Sequence, residues 1–326
     1  MSATTRWGIL ATGNIARKFA AGLAAADGAE LIAVGSRSRE KAESFGDEFD
    51  IPRRHGSYED LAADPDVDVI YVATPHPMHE PASLLCLDAG KAVLCEKPFT
   101  VNASQARRVI ERARRKGLFL MEAMWTRFIP AIAKLREILA AGTIGEVRMM
   151  MADFGFRAPW NPEGRLLNPK LGGGGLLDVG VYPISLASMV LGRAERVASL
   201  AHLGKTGVDE QSGAVLGYPG GALALASSAV QVSTPRDASI FGTRGSIRLH
   251  HPWWRAEQLT VTADDKTETL EFPVKGNGYE YQAEEVGRCL AAGKTESDVM
   301  PLDETVAIME TMDQIRSQWG LTYPIE

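Results

Sequence analysis

The first 122 residues alternate short apolar, β-branched runs with amphipathic stretches. The apolar runs predict five strands, and the stretches between them predict five helices. Strands and helices that alternate at this spacing favour parallel βαβ units with helices on both faces of the sheet. The predicted strands cover about 6–10, 30–36, 69–73, 92–96 and 119–122, and the predicted helices about 14–26, 39–49, 58–63, 81–89 and 104–116.

The second part of the chain has a different pattern. A helix predicted at about 129–141 ends at Gly142, as helices commonly do. From Gly145 to about Leu270 most apolar residues alternate with polar ones at a period of two, which predicts a mainly antiparallel sheet. Further helices are predicted at about 182–191, 280–291 and 304–318.

These patterns predict an α/β protein with two domains, as expected for 326 residues. The first domain, residues 1–122, is a doubly wound parallel sheet of the dinucleotide-binding (Rossmann) type. The second, residues 123–326, is an α+β domain with a large, open, mainly antiparallel sheet. The final helix, about 304–318, is a candidate to pack back on the first domain.

Composition and charge exclude several classes of partner. Hydrophobic residues make up 45% and charged residues 23%, and the net charge of -6 leaves no extended basic face for DNA or RNA. The N-terminal residues lack the pattern of a secretory signal, and no apolar run reaches about 18 residues, so we expect a cytoplasmic protein without a membrane partner. The cysteines and histidines show no metal-ligand spacing, so no metal is expected.

A glycine loop follows the first predicted strand and leads directly into a helix, with the sequence Ala11-Thr12-Gly13-Asn14-Ile15-Ala16. In this layout, backbone N–H groups and the helix dipole bind a pyrophosphate. The usual motif has three glycines, G-x-G-x-x-G. Gly13 is the second, which permits close approach of the phosphates; Ala16 takes the place of the third, and Ala11 replaces the first. The alternative is an ordinary strand-to-helix turn.

The end of the second predicted strand bears on the choice of cofactor. Ser36, Arg37 and Arg39 occupy the turn where a carboxylate would bind the ribose 2′-hydroxyl of NAD, and the first acid is Glu40 in the next helix. A guanidinium binds a phosphate through two hydrogen bonds, so this turn favours NADP over NAD. The alternative is that the arginines are solvated residues at a helix start.

Two more strand ends reach the same edge of the predicted sheet. One carries Thr74, Pro75, His76 and His79, and the other carries Glu96, Lys97 and Pro98. Ligands of such sheets bind beyond the carboxyl ends of the strands, so these residues are candidates to contact the cofactor. A lysine directly after a buried strand needs either a chemical task or an ion pair, with Glu96 or Asp178 as the partner in the second case.

The glycine loop, the Ala73-Thr74-Pro75 turn, Glu96-Lys97-Pro98 and the segment Leu177-Asp178-Val179-Gly180-Val181-Tyr182 occur in the order and spacing of a known family. Over nearly its whole length the chain resembles the glucose-fructose oxidoreductase, inositol dehydrogenase and rhizopine-catabolism (Gfo/Idh/MocA) family. The family commonly has a histidine where this chain has Tyr182. That tyrosine, with residues 121–128, most resembles the dimeric dihydrodiol dehydrogenase branch, which includes NADP-linked xylose dehydrogenases.

The resemblance implies an NADP-dependent oxidoreductase that acts on a cyclic polyol, sugar or trans-dihydrodiol, with Lys97 and Tyr182 as the acid-base pair. A positive Lys97 would favour the phenolate of Tyr182, and their protons would then belong to the pair. Asp178 is assigned to orienting Lys97 or to binding a substrate hydroxyl. The alternative for Asp178 is a helix cap, and for Tyr182 a half-buried core phenol.

Aromatic residues complete the predicted pocket. Trp125 and Phe154 are candidates for stacking on the substrate, and Trp125 and Arg127 for lining the cofactor site, although aromatics on such a sheet more often belong to a core or an interface. A large open sheet usually needs a cover, and the resemblance implies that residues 123–326 serve substrate binding and oligomerisation and that a second subunit covers the sheet in a homodimer. Competing functions are an inositol dehydrogenase, an anhydro-sugar or dicarbonyl reductase, and a non-catalytic cofactor-binding sensor.

Overall fold

A computed structural model describes residues 4–326, which form two compact units. The chain leaves the first unit near residue 128, builds most of the second and then returns, so both units are discontinuous in sequence. The first unit contains the residues up to Thr100, Ser104–Phe128 and Lys275–Thr305, and the second contains Val101–Ala103, Ile129–Val274 and Val306–Glu326.

The first unit is built on a parallel sheet of six strands in the order β3-β2-β1-β4-β5-β6. Every residue of β4, β5 and β6 is buried, as expected for the strands of a parallel sheet that is covered on both faces. The strands are β1 (Thr5–Leu10), β2 (Ala29–Gly35), β3 (Arg53–His55), β4 (Val69–Val72), β5 (Ala92–Glu96) and β6 (Leu120–Ala123).

The described part of the chain contains nine α-helices, and serine side chains cap two of the helices in the first unit. The Oγ of Ser38 accepts a hydrogen bond from the N–H of Lys41, and the Oγ of Ser57 accepts one from Asp60. The helices are α1 (Asn14–Leu23), α2 (Arg39–Glu48), α3 (Tyr58–Ala62), α4 (His79–Asp88), α5 (Ala103–Lys116), α6 (Pro130–Ala140), α7 (Val181–Leu191), α8 (Glu280–Ala291) and α9 (Leu302–Ser317).

The second unit contains an eight-stranded sheet in the order β14-β13-β12-β11-β7-β10-β9-β8. All neighbouring pairs are antiparallel except β7 and β10. Along β8, more and less exposed residues alternate, because one face of the sheet is open. The strands are β7 (Val147–Gly155), β8 (Arg196–Leu203), β9 (Asp209–Gly217), β10 (Leu223–Ala229), β11 (Ala238–Gly242), β12 (Gly245–Leu249), β13 (Gln258–Ala263) and β14 (Lys266–Glu271).

The predicted fold class is confirmed, with differences in detail. The short strand β3 was not predicted, because three polar residues carry no strand pattern. The segment Lys275–Thr305 belongs to the first unit, since the N–H of Leu120 donates to the carbonyl of Thr295 (3.0 Å) and α8 follows a turn packed on α1. Such long-range contacts leave no local signal in the sequence. The rest of the final helix, from Val306 onward, is part of the second unit.

One stretch of the described chain, Pro169–Leu191, is long and apolar enough to cross a membrane by length and composition. Its most apolar window is 78% buried within the protein. The stretch therefore has the character of a core segment. It includes α7 and, before it, a π-helical turn at Leu176–Gly180 where the sequence predicted no helix.

Candidate active site

The glycine loop of the first unit presents an uncapped helix start. Gly13 is the N-cap residue of α1 and, as a glycine, offers no side chain to accept a hydrogen bond from the first turn of that helix. A Cβ placed on Gly13 would meet no atom within 4 Å. Its φ of -77° suits any residue, so neither the backbone nor packing within the chain requires glycine here. Open space in front of bare N–H groups fits a bound phosphate.

The residues around Gly13 form the rest of this loop. Ala11 has a φ of +89°, which glycine adopts at much lower cost. The carbonyl of Thr12 accepts a hydrogen bond of 2.8 Å from the guanidinium of Arg17. Asn14 and Ile15 begin α1. The loop predicted from the sequence is therefore present as a strand-to-helix turn, with a strained alanine at its first position.

Hydroxyl and guanidinium groups surround the turn after β2. Ser36 is buried and its Oγ accepts a hydrogen bond of 3.3 Å from the N–H of Ser38, whereas Arg37 is exposed. Burial raises the pKa of Tyr58, and a hydrogen bond with Arg37 opposes that rise. Arg39 is also exposed and forms an ion pair of 2.7 Å with Glu43. The turn thus places one guanidinium beside a phenol and another beside a carboxylate.

The end of β4 is tied to the end of β5 through His79. The Nε2 of His79 lies 2.9 Å from the carbonyl oxygen of Thr74, and its Nδ1 lies 2.8 Å from that of Pro98. The ring is 1% exposed, and burial lowers the pKa of His79. His79 therefore connects the turn after β4 to the turn after β5 through its buried ring. His76, also buried, packs edge-on against it, and within residues 4–326 the buried Oγ1 of Thr74 has no hydrogen-bond partner.

Lys97 follows directly after β5 and is half-buried. The peptide bond between Lys97 and Pro98 is cis. Behind it, the carboxylate of Glu96 accepts hydrogen bonds from the hydroxyl of Tyr71 and from the N–H of Lys97 (3.1 Å). Because Glu96 is buried and bound in this way, it fixes the backbone from which the lysine side chain extends.

A second buried carboxyl group lies behind the same turn. The Oε1 of Glu122 accepts a hydrogen bond from the N–H of Phe99, and its Oε2 accepts one from the hydroxyl of Thr305, both at 3.1 Å. Burial raises the pKa of Glu122 to about 7, against these hydrogen bonds and the charge of Arg127. Glu122 is thus held close to the boundary between its neutral and charged forms near neutral pH.

The residues after β6 belong to the same unit. Arg127 is buried, and its guanidinium donates to the carbonyl of Val299 (3.2 Å) and to the carboxylate of Glu304 (2.7 Å). Trp125 stacks on Tyr279, with ring centroids 4.6 Å apart and planes at 18°. Arg127 therefore takes part in a buried ion pair, and Trp125 forms an aromatic pair with a residue that the sequence did not single out.

The residues of the first unit fit a dinucleotide. The open space at Gly13 in the glycine loop fits a pyrophosphate. The exposed Arg37, in the turn after β2, fits the phosphate of an adenosine ribose. The unpartnered Oγ1 of Thr74 is a buried polar group at the carboxyl edge of the sheet, where the rest of such a ligand would lie. These residues could therefore hold the cofactor.

Tyr182 and Asp178 lie in the second unit, both buried. Asp178 is part of the π-helical turn Leu176–Gly180, and Tyr182 is in the first turn of α7, which continues it. Turns of this kind are rare and are frequently found at functional sites. Arg165, half exposed in the preceding loop, forms an ion pair with Asp178. The Asp178 carboxylate therefore has a cationic partner that the sequence analysis did not identify.

An aromatic cluster accompanies Tyr182. Phe154, near the end of β7, stacks face to face on Trp254, with ring centroids 3.4 Å apart and planes at 8°. The same Phe154 lies 5.3 Å from the ring of Tyr182 in a tilted arrangement. Flat apolar faces beside a phenol suit a ring-shaped substrate that carries hydroxyl groups. The sequence indicated Phe154, while Trp254 was noted only as part of a turn.

Comparison with known proteins agrees with these features. Residues 5–124 match the model of an oxidoreductase family with an NAD-binding Rossmann fold. Residues 132–248 match the model of the C-terminal domain of the Gfo/Idh/MocA family.

Similar proteins span the whole chain. It is 41% identical to the trans-1,2-dihydrobenzene-1,2-diol dehydrogenase of Mus musculus and 39% identical to that of Homo sapiens, with 98% of both chains covered in each comparison. Among solved structures, KijD10, a 3-ketoreductase from Actinomadura kijaniata in complex with NADP and TDP-benzene, is 25% identical with a TM-score of 0.85, covering 96% of this chain and 97% of that one. The aldose-aldose oxidoreductase of Caulobacter crescentus shares the fold at 24% identity and a TM-score of 0.88, covering 98% of each chain.

Proposed function

Because this chain belongs to the Gfo/Idh/MocA oxidoreductase family, we propose that it moves a hydride between NADP and a cyclic polyol, a sugar or a trans-dihydrodiol. The chain is an NAD(P)-dependent oxidoreductase, and the resemblance predicted from its sequence is confirmed. The observation that carries the substrate class is the 41% identity, across 98% of both chains, with the dihydrodiol dehydrogenase of the mouse. Phe154, supported by Trp254, is an aromatic ring 5.3 Å from Tyr182 and suits such a substrate.

Proton transfer to and from the substrate oxygen is assigned to Lys97 and Tyr182. When bound, the nicotinamide supplies or accepts the hydride. Oxidation of an alcohol also needs a base at the hydroxyl, and reduction of a carbonyl needs the same group as an acid. The ammonium of Lys97 favours the phenolate of Tyr182 when both face one substrate, so the phenol takes the proton and the lysine stabilises the resulting charge. Asp178 orients these groups or binds a second substrate hydroxyl.

The preference for NADP is assigned to Arg37. An exposed guanidinium in the turn after β2 can bind a ribose phosphate through two hydrogen bonds, and no carboxylate stands between Gly35 and Arg39. The complex of KijD10 contains NADP. The change Arg37→Asp should raise KM for NADP at least tenfold more than KM for NAD. Arg115→Asp is the matched control, because Arg115 is an exposed arginine of the same unit that lies on α5, away from this turn in the sequence. An equal change in KM for NADP and for NAD in Arg37→Asp would contradict the role assigned to Arg37.

The enzymatic proposal is tested by following the absorbance of reduced nicotinamide. The purified protein is given NADP or NAD with trans-1,2-dihydrobenzene-1,2-diol, trans-cyclohexanediol, D-xylose and D-glucose, and NADPH with small dicarbonyls. We expect turnover of at least one diol or sugar. In single-turnover measurements, Lys97→Met and Tyr182→Phe should each slow hydride transfer by at least about 100-fold. Absence of turnover with every substrate, or unchanged hydride transfer in Lys97→Met, would refute the proposal.

We also propose that the open sheet of the second unit pairs with a second copy of the chain. Met149 and Met151 on β7, Phe241 on β11 and Val215 on β9 are large apolar residues that are 37–44% exposed. Met149 and Phe241 are direct neighbours across the strands, so the exposed apolar surface is continuous. Light scattering at micromolar concentration should give a dimer for the natural chain and a monomer for Met151→Glu. A monomer in both, or a dimer in both, would contradict this interface.

A further inference from the structure

Asp209, at the start of β9, is a fully buried acid of the second unit. Its Oδ2 accepts a hydrogen bond of 2.6 Å from the N–H of Leu176, the first residue of the π-helical turn. Burial raises the pKa of Asp209 to about 7, although hydrogen bonds from the N–H groups of Leu176 and Gly175 oppose the rise. The carboxyl group therefore binds the start of the helical segment that carries Asp178 and Tyr182.

The glycine run before this turn is shaped around the same carboxyl group. Gly174 has a φ of +114°, which only glycine adopts readily. A Cβ on Gly174 would collide with the Oδ1 of Asp209, and one on Gly175 would lie 3.3 Å from its Oδ2. Side chains at these two positions would push the acid away from the turn. Glycine is thus needed here so that a buried carboxyl group can reach the backbone.

The C-terminal residues of the chain hold the glycine run from another direction. The hydroxyl of Tyr323 donates a hydrogen bond of 2.8 Å to the carbonyl of Gly173, and its ring is 4% exposed. The N–H of Tyr323 donates to Glu326 (3.1 Å), whose carboxylate pairs with Arg316 on α9. The guanidinium of Arg316 also lies over the ring of Tyr323, 5.7 Å from its centroid. These contacts fix the phenol in place.

We propose that Asp209 and Tyr323 are positioning residues for the reaction: they hold the glycine run and the π-helical turn so that Asp178 and Tyr182 keep their working orientation. Neither residue contacts the reacting atoms in this scheme. The inference rests on the proposed function, because it takes Tyr182 and Asp178 as the groups that meet the substrate. Displacement of reacting groups by about 1 Å can lower a rate by about 100-fold, so small shifts of the turn should be visible in kcat.

The test uses Asp209→Asn and Tyr323→Phe in the full-length protein. Asp209→Asn keeps the size of the side chain and removes the ionisable carboxyl group, and Tyr323→Phe removes one hydrogen bond, that from the hydroxyl to the carbonyl of Gly173. We expect kcat to fall by about 10- to 100-fold, with KM for NADP within about twofold of the natural value, since the first unit is unchanged. Tyr218→Phe is the matched control, because Tyr218 is a tyrosine of the same unit with 4% exposure that lies outside this cluster.

Hydrogen exchange of the segment 173–182, followed by mass spectrometry, gives a readout that needs no activity. Faster exchange there in Asp209→Asn and Tyr323→Phe, but not in Tyr218→Phe, together with the fall in kcat, supports the proposal. Unchanged exchange, or faster exchange with unchanged kcat, overturns it. If the natural protein turns over no substrate, the proposed function fails, while the exchange measurement still shows whether these residues hold the turn.

Discussion

Replacing Glu122 with glutamine should change how the stability of the protein depends on pH. The carboxyl group is fully buried, and burial raises its pKa from 4.5 to about 7. The folded state therefore keeps the proton to higher pH than the unfolded state. The stabilisation from this protonation is complete below pH 4.5 and is lost as the pH rises to about 7. At about 1.4 kcal/mol per pH unit, the loss between pH 5 and pH 8 is about 2–3 kcal/mol.

Glutamine is neutral at every pH, so Glu122→Gln should not show this loss. Its amide oxygen can accept a hydrogen bond from the N–H of Phe99, and its NH2 group can donate one to the hydroxyl oxygen of Thr305. The protonated acid can bind both groups in the same way. Urea unfolding at pH 5 and pH 8 should show that the difference in free energy of unfolding, variant minus natural chain, is about 2–3 kcal/mol more positive at pH 8, so the variant gains relative stability there. Glu137→Gln is the control at an exposed acid. A difference that is equal at both pH values would refute the reasoning.

Three further changes test other parts of the structure. Ala11→Gly should raise the free energy of unfolding by about 0.5–1 kcal/mol in urea titrations, because it relieves a φ of +89°, and a loss of stability would contradict this. Burial raises the pKa of Asp64, but hydrogen bonds from Arg53, the N–H of Asp66 and His55 lower it to about 2. Asp64→Asn should thus cost about 2 kcal/mol at pH 7 and little at pH 2, and an equal cost at both would be inconsistent with those bonds. Trp254→Ala removes the ring stacked on Phe154 and should raise KM for a trans-dihydrodiol by about 3- to 10-fold while leaving KM for NADP unchanged, as steady-state kinetics would show.

The sequence predicted those features that depend on local pattern. The alternation of strands and helices indicated the parallel sheet, and the glycine loop was placed correctly at the start of α1. Motif resemblance supplied Lys97 and Tyr182, whose joint role remains a prediction. These features are local, or belong to a motif whose order along the chain is informative.

The supporting residues could not be predicted in this way, because their partners are far away in the sequence. Asp209 binds a residue 33 positions earlier, and Tyr323 binds one 150 positions earlier. Tyr279 meets Trp125 only after the chain has returned to the first unit. Arg165 lies closer to its partner Asp178, but it is in an irregular loop without periodicity.

The return of Lys275–Thr305 to the first unit sets the order in which a ribosome can complete this protein. The polypeptide must be synthesised through Thr295 before the N–H of Leu120 finds its acceptor, and through Thr305 before Glu122 binds its hydroxyl partner. A fragment that stops at residue 128 would contain all six strands of the sheet and still lack α8. The nucleotide-binding half is therefore finished late in translation, and the second unit, most of which is the intervening 146 residues (129–274), is completed later still, when Val306–Glu326 is added.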